Sequence, residues 1–428
     1  MRRFLLAGFA SSCALLAQPG PQRFTLPNGL RVIHLEDHEH PVVRVRLHLD
    51  LAPGDTPADH QGLALLAMRM FLHSDAADLK AEAFDRLLAD SGILLHATSA
   101  PTAVEWRLAA RSRDQDRALG LLADRLLRTV FDPMVLETQR LACWRQVERL
   151  DAPPFGRLEA ALLQDPGTLP SIASLGAITL DDLLMFRAKV FRPDRALLMI
   201  HGDVGLEQAK RLVLLSLGTW TAQEPPPSAV PTNTPPSRPQ GPQPEPPRIV
   251  APGAGLRLQA VLPRPTGLAP EPASLISLLV TGASVCFPAS LAWRAEGLLA
   301  TLDAGPEMTG VAAWSTLQDR LESLRQRGFT AADLERARTA WAAGRSLASL
   351  DAEAQLDEVL AQAANRGATV DRMNALTLDQ LNAALRAWLE PGRARFGAAG
   401  NSERLASLPK PGFQTVKPDP GNGPGPLQ

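Results

Sequence analysis

The chain has 428 residues, 45% of them apolar, and a formal net charge of -1. That is more than one ordinary domain holds and supplies material for two sizeable cores. The charge balance excludes electrostatic attraction to nucleic acid or to anionic membranes as a general mode of action.

The predicted elements begin with an export signal over 1–17. Arg2 and Arg3 precede a mainly apolar run that is too short and mixed to span a bilayer, with cleavage expected before Gln18. A lipoprotein alternative uses Cys13 after Ala10-Ser11-Ser12. Either way the protein is expected in the periplasm or cell envelope. A first domain is expected over 23–223. It opens on a hairpin at 23–35 around Pro27-Asn28-Gly29, followed by a strand at 42–51 whose Val43, Val45, Leu47 and Leu49 alternate with polar residues. Helices are predicted at 62–72 and 81–90, strands at 93–97 and 103–109, and helices at 113–129, 134–150 and 179–190. Thr179 caps the last of these. A strand at 196–202 and a helix at 206–215 complete the domain.

Residues 224–247 form a linker: eleven of the residues from Pro225 to Pro247 are proline. A second domain over 248–403 repeats the plan. Strands are expected at 256–262, 299–304, 310–313 and 393–400, and helices at 273–281, 289–297, 331–350, 354–366 and 378–389. The segment 404–428 reads as a Pro/Gly-rich disordered tail. Mixed strands and helices in both parts predict two α+β halves that arose by duplication. Cys143 and Cys286 fall in different halves, and the sequence leaves their pairing open.

Several stretches, in order, resemble the pitrilysin-type (M16) zinc metallopeptidases. Thr25-Leu26-Pro27-Asn28-Gly29-Leu30-Arg31-Val32 resembles their opening hairpin. Asp50-Leu51-Ala52-Pro53-Gly54-Asp55 followed by Gly62-Leu63-Ala64 resembles the approach to their HxxEH helix. Phe84-Asp85-Arg86-Leu87-Leu88-Ala89-Asp90-Ser91-Gly92, then His96-Ala97-Thr98, resembles the next helix and strand. Phe191-Arg192-Pro193-Asp194-Arg195-Ala196 with Ile200-His201-Gly202-Asp203-Val204, and then Gly218-Thr219-Trp220, resembles the close of a family half. The resemblance implies two homologous halves, each a mixed or antiparallel sheet with helices packed on one side. It also implies modules that enclose an unfolded peptide in a chamber. In active members two histidines and a downstream glutamate hold zinc, and the glutamate of HxxEH is the general base.

Carried onto this chain, that motif is absent. The histidine positions are Leu65 and Arg69, the glutamate position is Met68, and the downstream ligand falls at Gln146, with Glu148 the nearest carboxylate. No catalytic residue, metal ligand or cofactor is therefore predicted. Arg69, on an otherwise apolar helix, is expected to pair with Glu148 or Glu137 in the vacated pocket. Inactive family members that partner an active chain often hold substrate with an Arg and a Tyr. Here Arg294 stands at the Arg position, as a substrate contact or as a structural ion pair, while Leu299 or Ala300 stands at the Tyr position; the chain has no tyrosine. His34, His38, His40 and His48 crowd near the first hairpin and read as a solvated turn, with adventitious metal binding as the alternative. No GxSxG, P-loop or GxGxxG is present.

The resemblance thus implies an inactive subunit that pairs with an active HxxEH-bearing homologue and helps orient unfolded peptides. The strand at 94–98 is the expected edge for capturing them through backbone hydrogen bonds. The rival is a non-proteolytic structural or interaction protein of the cell envelope.

Overall fold

The computed structural model describes residues 20–52, 54–57, 59–100, 102–151, 158, 162, 170–222, 248–250, 255–265, 267–282, 290–294, 297–305, 307–364 and 367–408. The export signal with Cys13, the proline-rich linker, Cys286, residues 409–428 and the side chains of Glu148 and Arg294 lie outside the described residues.

The first sheet is built from β1 (Gln22–Thr25), β2 (Arg31–Glu36), β3 (Val42–Asp50), β4 (Leu94–Ala100), β5 (Ala103–Arg111) and β6 (Ala196–Gly202), in the order β1-β2-β6-β3-β5-β4. Between them run α1 (Leu63–His73), α2 (Ala81–Ser91), α3 (Gln115–Leu127), α4 (Pro133–Asp151), α5 (Ile172–Ala177) and α6 (Leu180–Val190); α7 (Leu206–Leu217) follows β6. The β1–β2 hairpin turns where Gly29 adopts a φ of +90°, a conformation open to glycine. The Asn28 side chain ties that turn to the end of α7 by donating to the carbonyls of Leu217 (2.8 Å) and Trp220 (3.0 Å). As the alternation predicts, Val43, Val45, Leu47 and Leu49 are buried on one face of β3.

The second sheet contains β7 (Arg248–Val250), β8 (Leu256–Pro263), β9 (Ser290–Arg294), β10 (Gly297–Ala304) and β11 (Arg395–Gly400), in the order β7-β11-β8-β10-β9. Its helices are α8 (Pro270–Gly282), α9 (Gly310–Arg327), α10 (Ala331–Ala348), α11 (Ala352–Ala363), α12 (Val370–Ala375), α13 (Leu378–Trp388) and α14 (Ser402–Ala406). One face of this sheet packs Leu256, Leu258, Ala260 and Leu262 into the helical core. On the other face Val261, Leu299 and Ala399 pack with Leu158 and Leu162.

The two sheets share one topology. β2-β6-β3-β5-β4 matches β7-β11-β8-β10-β9 strand for strand, with β2–β6 and β7–β11 parallel and the other pairs antiparallel. Over a long stretch the halves keep a fixed offset of 198 residues (140 to 338): Phe131 and Phe329, Glu137 and Glu335, Thr179 and Thr377, Pro193 and Pro391 correspond. The caps follow suit, since Thr179 accepts from the Asp182 N–H and Thr377 from the Gln380 N–H, each at 3.2 Å. So do two guanidinium locks. Arg140 donates to the carbonyls of Leu175 and Ile178, and Arg338 to those of Met373, Asn374 and Leu376, satisfying the ends of α5 and α12. Each arginine also pairs with the glutamate three residues before it, at 3.1 and 2.6 Å.

By packing, the chain divides into one compact unit of Met1–Leu51, Met68–Asp132 and Leu184–Pro226 and another of Ala52–Ala67, Pro133–Leu183 and Pro227–Gln428. Residues before the proline-rich stretch thus join the second sheet, Leu158 and Leu162 among them.

Three local expectations are corrected. Residues 290–294 form strand β9 and not a helix. So short a run gains little from helix formation, and pairing with Gly297–Thr301 satisfies its backbone. Residues 310–313 open helix α9 and are not a strand. Thr309 caps the Ala312 N–H (3.2 Å), and Trp314, Leu317, Leu321 and Leu324 recur at helical spacing as a buried stripe. The start of the tail also moves, because Leu405 in α14 and Leu408 are core residues.

Candidate functional site

Helix α1 is fixed at its start by Gly62, whose φ is +96° and whose hydrogen faces Leu175 and Pro170 so closely that a Cβ would stand 2.7 and 2.9 Å from their side chains. From there Leu63, Leu66, Ala67, Met70 and Phe71 form a fully buried stripe. Met68, at the position where the resemblance expects the general base, is 2% exposed and is a core side chain. Leu65 and Arg69 are four residues apart on one half-buried face, the relation the two zinc histidines require. A hydrocarbon and a guanidinium there supply no lone pair for a metal, and the arginine's charge opposes one. His73, one turn further, has its pKa lowered by burial and by the Arg69 charge, which holds it neutral. These side chains do not fit zinc. Among the described residues no three His, Cys, Asp or Glu side chains gather as metal ligands.

The remaining expected positions lie elsewhere. Gln146 is exposed on α4, and Glu137 is engaged by Arg140. Arg69 is half-buried. Arg294 ends β9, its backbone paired with Gly297. Leu299 and Ala300, at the tyrosine position, are buried strand residues, and Leu299 faces Leu158 and Leu162. A tyrosine hydroxyl at either position would point into packed hydrocarbon. The histidines near the hairpin do not act as one group. His34 is buried and donates to the Val204 carbonyl (2.8 Å), while exposed His38 bridges Asp203 (2.6 Å) and Glu36 (2.9 Å), which raise its pKa. His48 lies on β3, away from that turn in the sheet register, and His40 is exposed.

The strand at 94–98 is within β4, the terminal strand of the first sheet. Register across this end of the sheet places His96 beside Arg107 and Arg107 beside Arg46, with Thr98, Glu105 and His48 in the next row. Sequence reasoning missed this cluster. The polar alternation of β3 marked a face, but only pairing brings three strands together. Glu105 accepts from His48 (2.9 Å) and Arg107 (2.9 Å). Burial favours its protonated form, but these bonds and the charge of Arg46 outweigh it and hold the carboxyl down at about 2. For His48, burial likewise opposes charge and is outweighed by Glu105 and Asp50, so its pKa is raised.

A duplicated α+β sheet module, with Leu65, Met68 and Arg69 on α1 where the resemblance expects zinc ligands and base, defines the class of protein: one with an M16-like fold. Two sequence profiles match. "Insulinase (Peptidase family M16)" covers residues 31–171 and "Peptidase M16 inactive domain" covers 177–258, together more than half the chain. The chain belongs to the M16 peptidase family. No curated protein matches it by sequence. Among solved structures it is similar to a protease from Helicobacter pylori (15% identity, TM-score 0.74, 89% of this chain and 99% of that one). It is also similar to a peptidase M16 inactive domain from Pseudomonas fluorescens (18%, 0.70, 90% and 98%). A third likeness is to the periplasmic protease PqqL of Escherichia coli (13%, 0.68, 92% of this chain and 49% of that one). At such identities the likeness shows the fold alone.

Proposed function

We propose that this chain is a catalytically inactive M16 subunit that pairs with an active, HxxEH-bearing homologue and supplies half of a chamber for unfolded peptides. The observation that carries this reading is α1, an intact helix in which core and half-buried side chains, Leu65, Met68 and Arg69, occupy the ligand and base positions. The exposed edge of β4 supports peptide capture, because a terminal strand leaves backbone donors and acceptors for an added one. The periplasmic description of PqqL supports an exported location, as does the export signal read in the sequence. No described helix is long and apolar enough to cross a membrane. The erosion of the Arg/Tyr pair favours the rival reading of a structural envelope protein with no role in cleavage.

Co-expression with a homologue encoded next to it that carries an intact HxxEH tests the proposal. A heterodimer that cleaves unstructured peptides faster than the active chain alone is expected. A pair that forms but cleaves no faster would leave the structural reading standing in its place.

A further inference from the structure

The second half contains a pocket of about 400 Å³ between α8 and α10, with Ser274, Leu278, Trp341, Gly344, Arg345 and Ala348 in its wall. We infer that it binds a neutral aromatic ring carrying an N–H or O–H donor, an indole or a phenol. In chain order α8 follows β8 as α1 follows β3, and α10 follows α9 as α4 follows α3. The pocket therefore lies between the counterparts of the two helices on which the resemblance places zinc ligands in the first half. At the offset of 198 residues (146 to 344) Gln146 becomes Gly344 and Leu150 becomes Ala348, two changes to smaller side chains on one stripe of α10. A Cβ at Gly344 would meet nothing within 4 Å, so the space beside it is open.

The wall sets the class of guest. Leu278, Ala348 and the indole of Trp341 offer apolar surface, where water finds few partners and an apolar guest gains by displacing it. The indole also offers a ring against which a second ring packs edge to face or offset. The Arg345 guanidinium lies 5.1 Å from the centre of that indole and pairs with Glu358 at 2.5 Å, so its charge is already matched and calls for no anion. Arg264, also in the wall, donates to the Leu268 carbonyl (2.9 Å). Ser274 gives its hydroxyl proton to the Pro270 carbonyl (2.9 Å), one turn back on α8, and therefore meets a guest as an acceptor. A ring with a donor at its edge suits both the indole and this hydroxyl oxygen. Small-ligand pockets run from roughly 300 to 1,000 Å³, so this one suits a single ring with a short substituent, either a free molecule or a peptide side chain.

The experiment titrates the full chain by calorimetry with N-acetyl-tryptophanamide, N-acetyl-phenylalaninamide, N-acetyl-leucinamide, N-acetyl-tryptophan and a peptide with one central tryptophan. The tryptophan amide should bind about two- to tenfold more tightly than the phenylalanine amide, which lacks the donor. The phenylalanine amide should exceed the leucine amide by about as much. Ser274→Ala should bring the two aromatic amides together. Gly344→Leu, which fills the pocket and favours the helix, should remove binding, while Gly120→Leu in α3, where a Cβ also meets nothing within 4 Å, should leave it unchanged. Binding of both the free amide and the peptide supports a peptide side chain as the natural guest, and binding of the amide alone supports a small molecule. A leucine amide that binds as tightly as the tryptophan amide overturns the aromatic class, and a carboxylate probe that binds more tightly than its amide overturns the neutral one. Undiminished binding in a folded Gly344→Leu, or no binding of any probe at millimolar concentration, overturns the site itself.

Discussion

Replacing Arg187 with leucine tests whether a buried cation stabilises this fold without a counter-ion. Arg187 is 7% exposed, and among the described residues no carboxylate pairs with it. Its Nη1 donates to the Thr129 carbonyl (2.6 Å) and its Nη2 to those of Leu126 (3.2 Å) and Leu127 (3.0 Å), between the rings of Phe71 and Phe131. These carbonyls end α3 and lie beyond the reach of any helical N–H. Burial draws the guanidinium pKa down to about 10, a cost of about 3 kcal/mol. Three bonds from a charged donor contribute about 1.5–3 kcal/mol each and more than offset it. The second half uses the opposite solution, since the position 198 residues on is Leu385, which is fully buried. In the first half leucine would leave three carbonyls unsatisfied in an apolar pocket, so Arg187→Leu should cost about 3–5 kcal/mol. Urea unfolding followed by tryptophan fluorescence should show a lower midpoint at unchanged slope. A midpoint equal to or above that of the wild type would refute the reasoning, because the cost of burying the charge would then exceed what its bonds return.

Other perturbations follow from the same structure. Folded Glu105, held at about 2 against an unfolded 4.5, contributes fully above pH 4.5 and loses that contribution as pH falls toward 2; His48, raised above 6.5, contributes fully below pH 6.5 and loses its share as pH climbs past its folded pKa. Glu105→Gln should therefore cost most between pH 4.5 and 6.5 and flatten the acid limb of a melting-temperature profile, and an unaltered acid limb contradicts the network. Arg338→Met removes three bonds to the end of α12 and should cost about 2–3 kcal/mol in urea; Arg140→Met should cost about as much, and a neutral result at both would show the paired locks to be incidental. Gly62→Ala, strained at φ +96° and crowded against Leu175 and Pro170, should cost about 2–3 kcal/mol, read by the same assay. Excess chelator should leave the melting temperature unchanged, since no metal ligands stand at the α1 positions; a fall of several degrees would reveal a structural metal.

Much of the fold was legible because its signals are local. The alternation of β3, the Pro27-Asn28-Gly29 turn and the Thr179 cap each depend on neighbours in the chain. Where the outcome depends on a distant partner, local reading fails. Residues 290–294 contain good helix formers, and only the presence of β10 makes them a strand. The stripe of Trp314, Leu317, Leu321 and Leu324 was readable by period, but the apolar start at 310–313 drew attention to the wrong element. The site divides in the same way. Leu65, Met68 and Arg69, where the resemblance expects ligands and base, stand within a single helix. The His96–Arg107–Arg46 row spans three strands, and nothing in the spacing of residues 46, 96 and 107 announces it.

The duplicated halves separate what the fold needs from what chemistry needs. At a fixed offset the chain keeps Arg140 as Arg338, each held by the glutamate three residues before it, and it keeps the threonine caps of α6 and α13; these arginines and threonines satisfy backbone groups at helix ends. The same offset carries Gln146 to Gly344, where no metal ligand is possible, and Arg187 to Leu385, where the buried cation is exchanged for hydrocarbon. Backbone satisfaction at these helix ends is therefore common to both halves, while positions 146 and 187 differ in chemistry from their counterparts at 344 and 385. A helix such as α1, with Met68 in the core and Gly62 locked against Leu175, fits that division. Its buried contacts are made between apolar side chains, and none of them depends on a metal ligand.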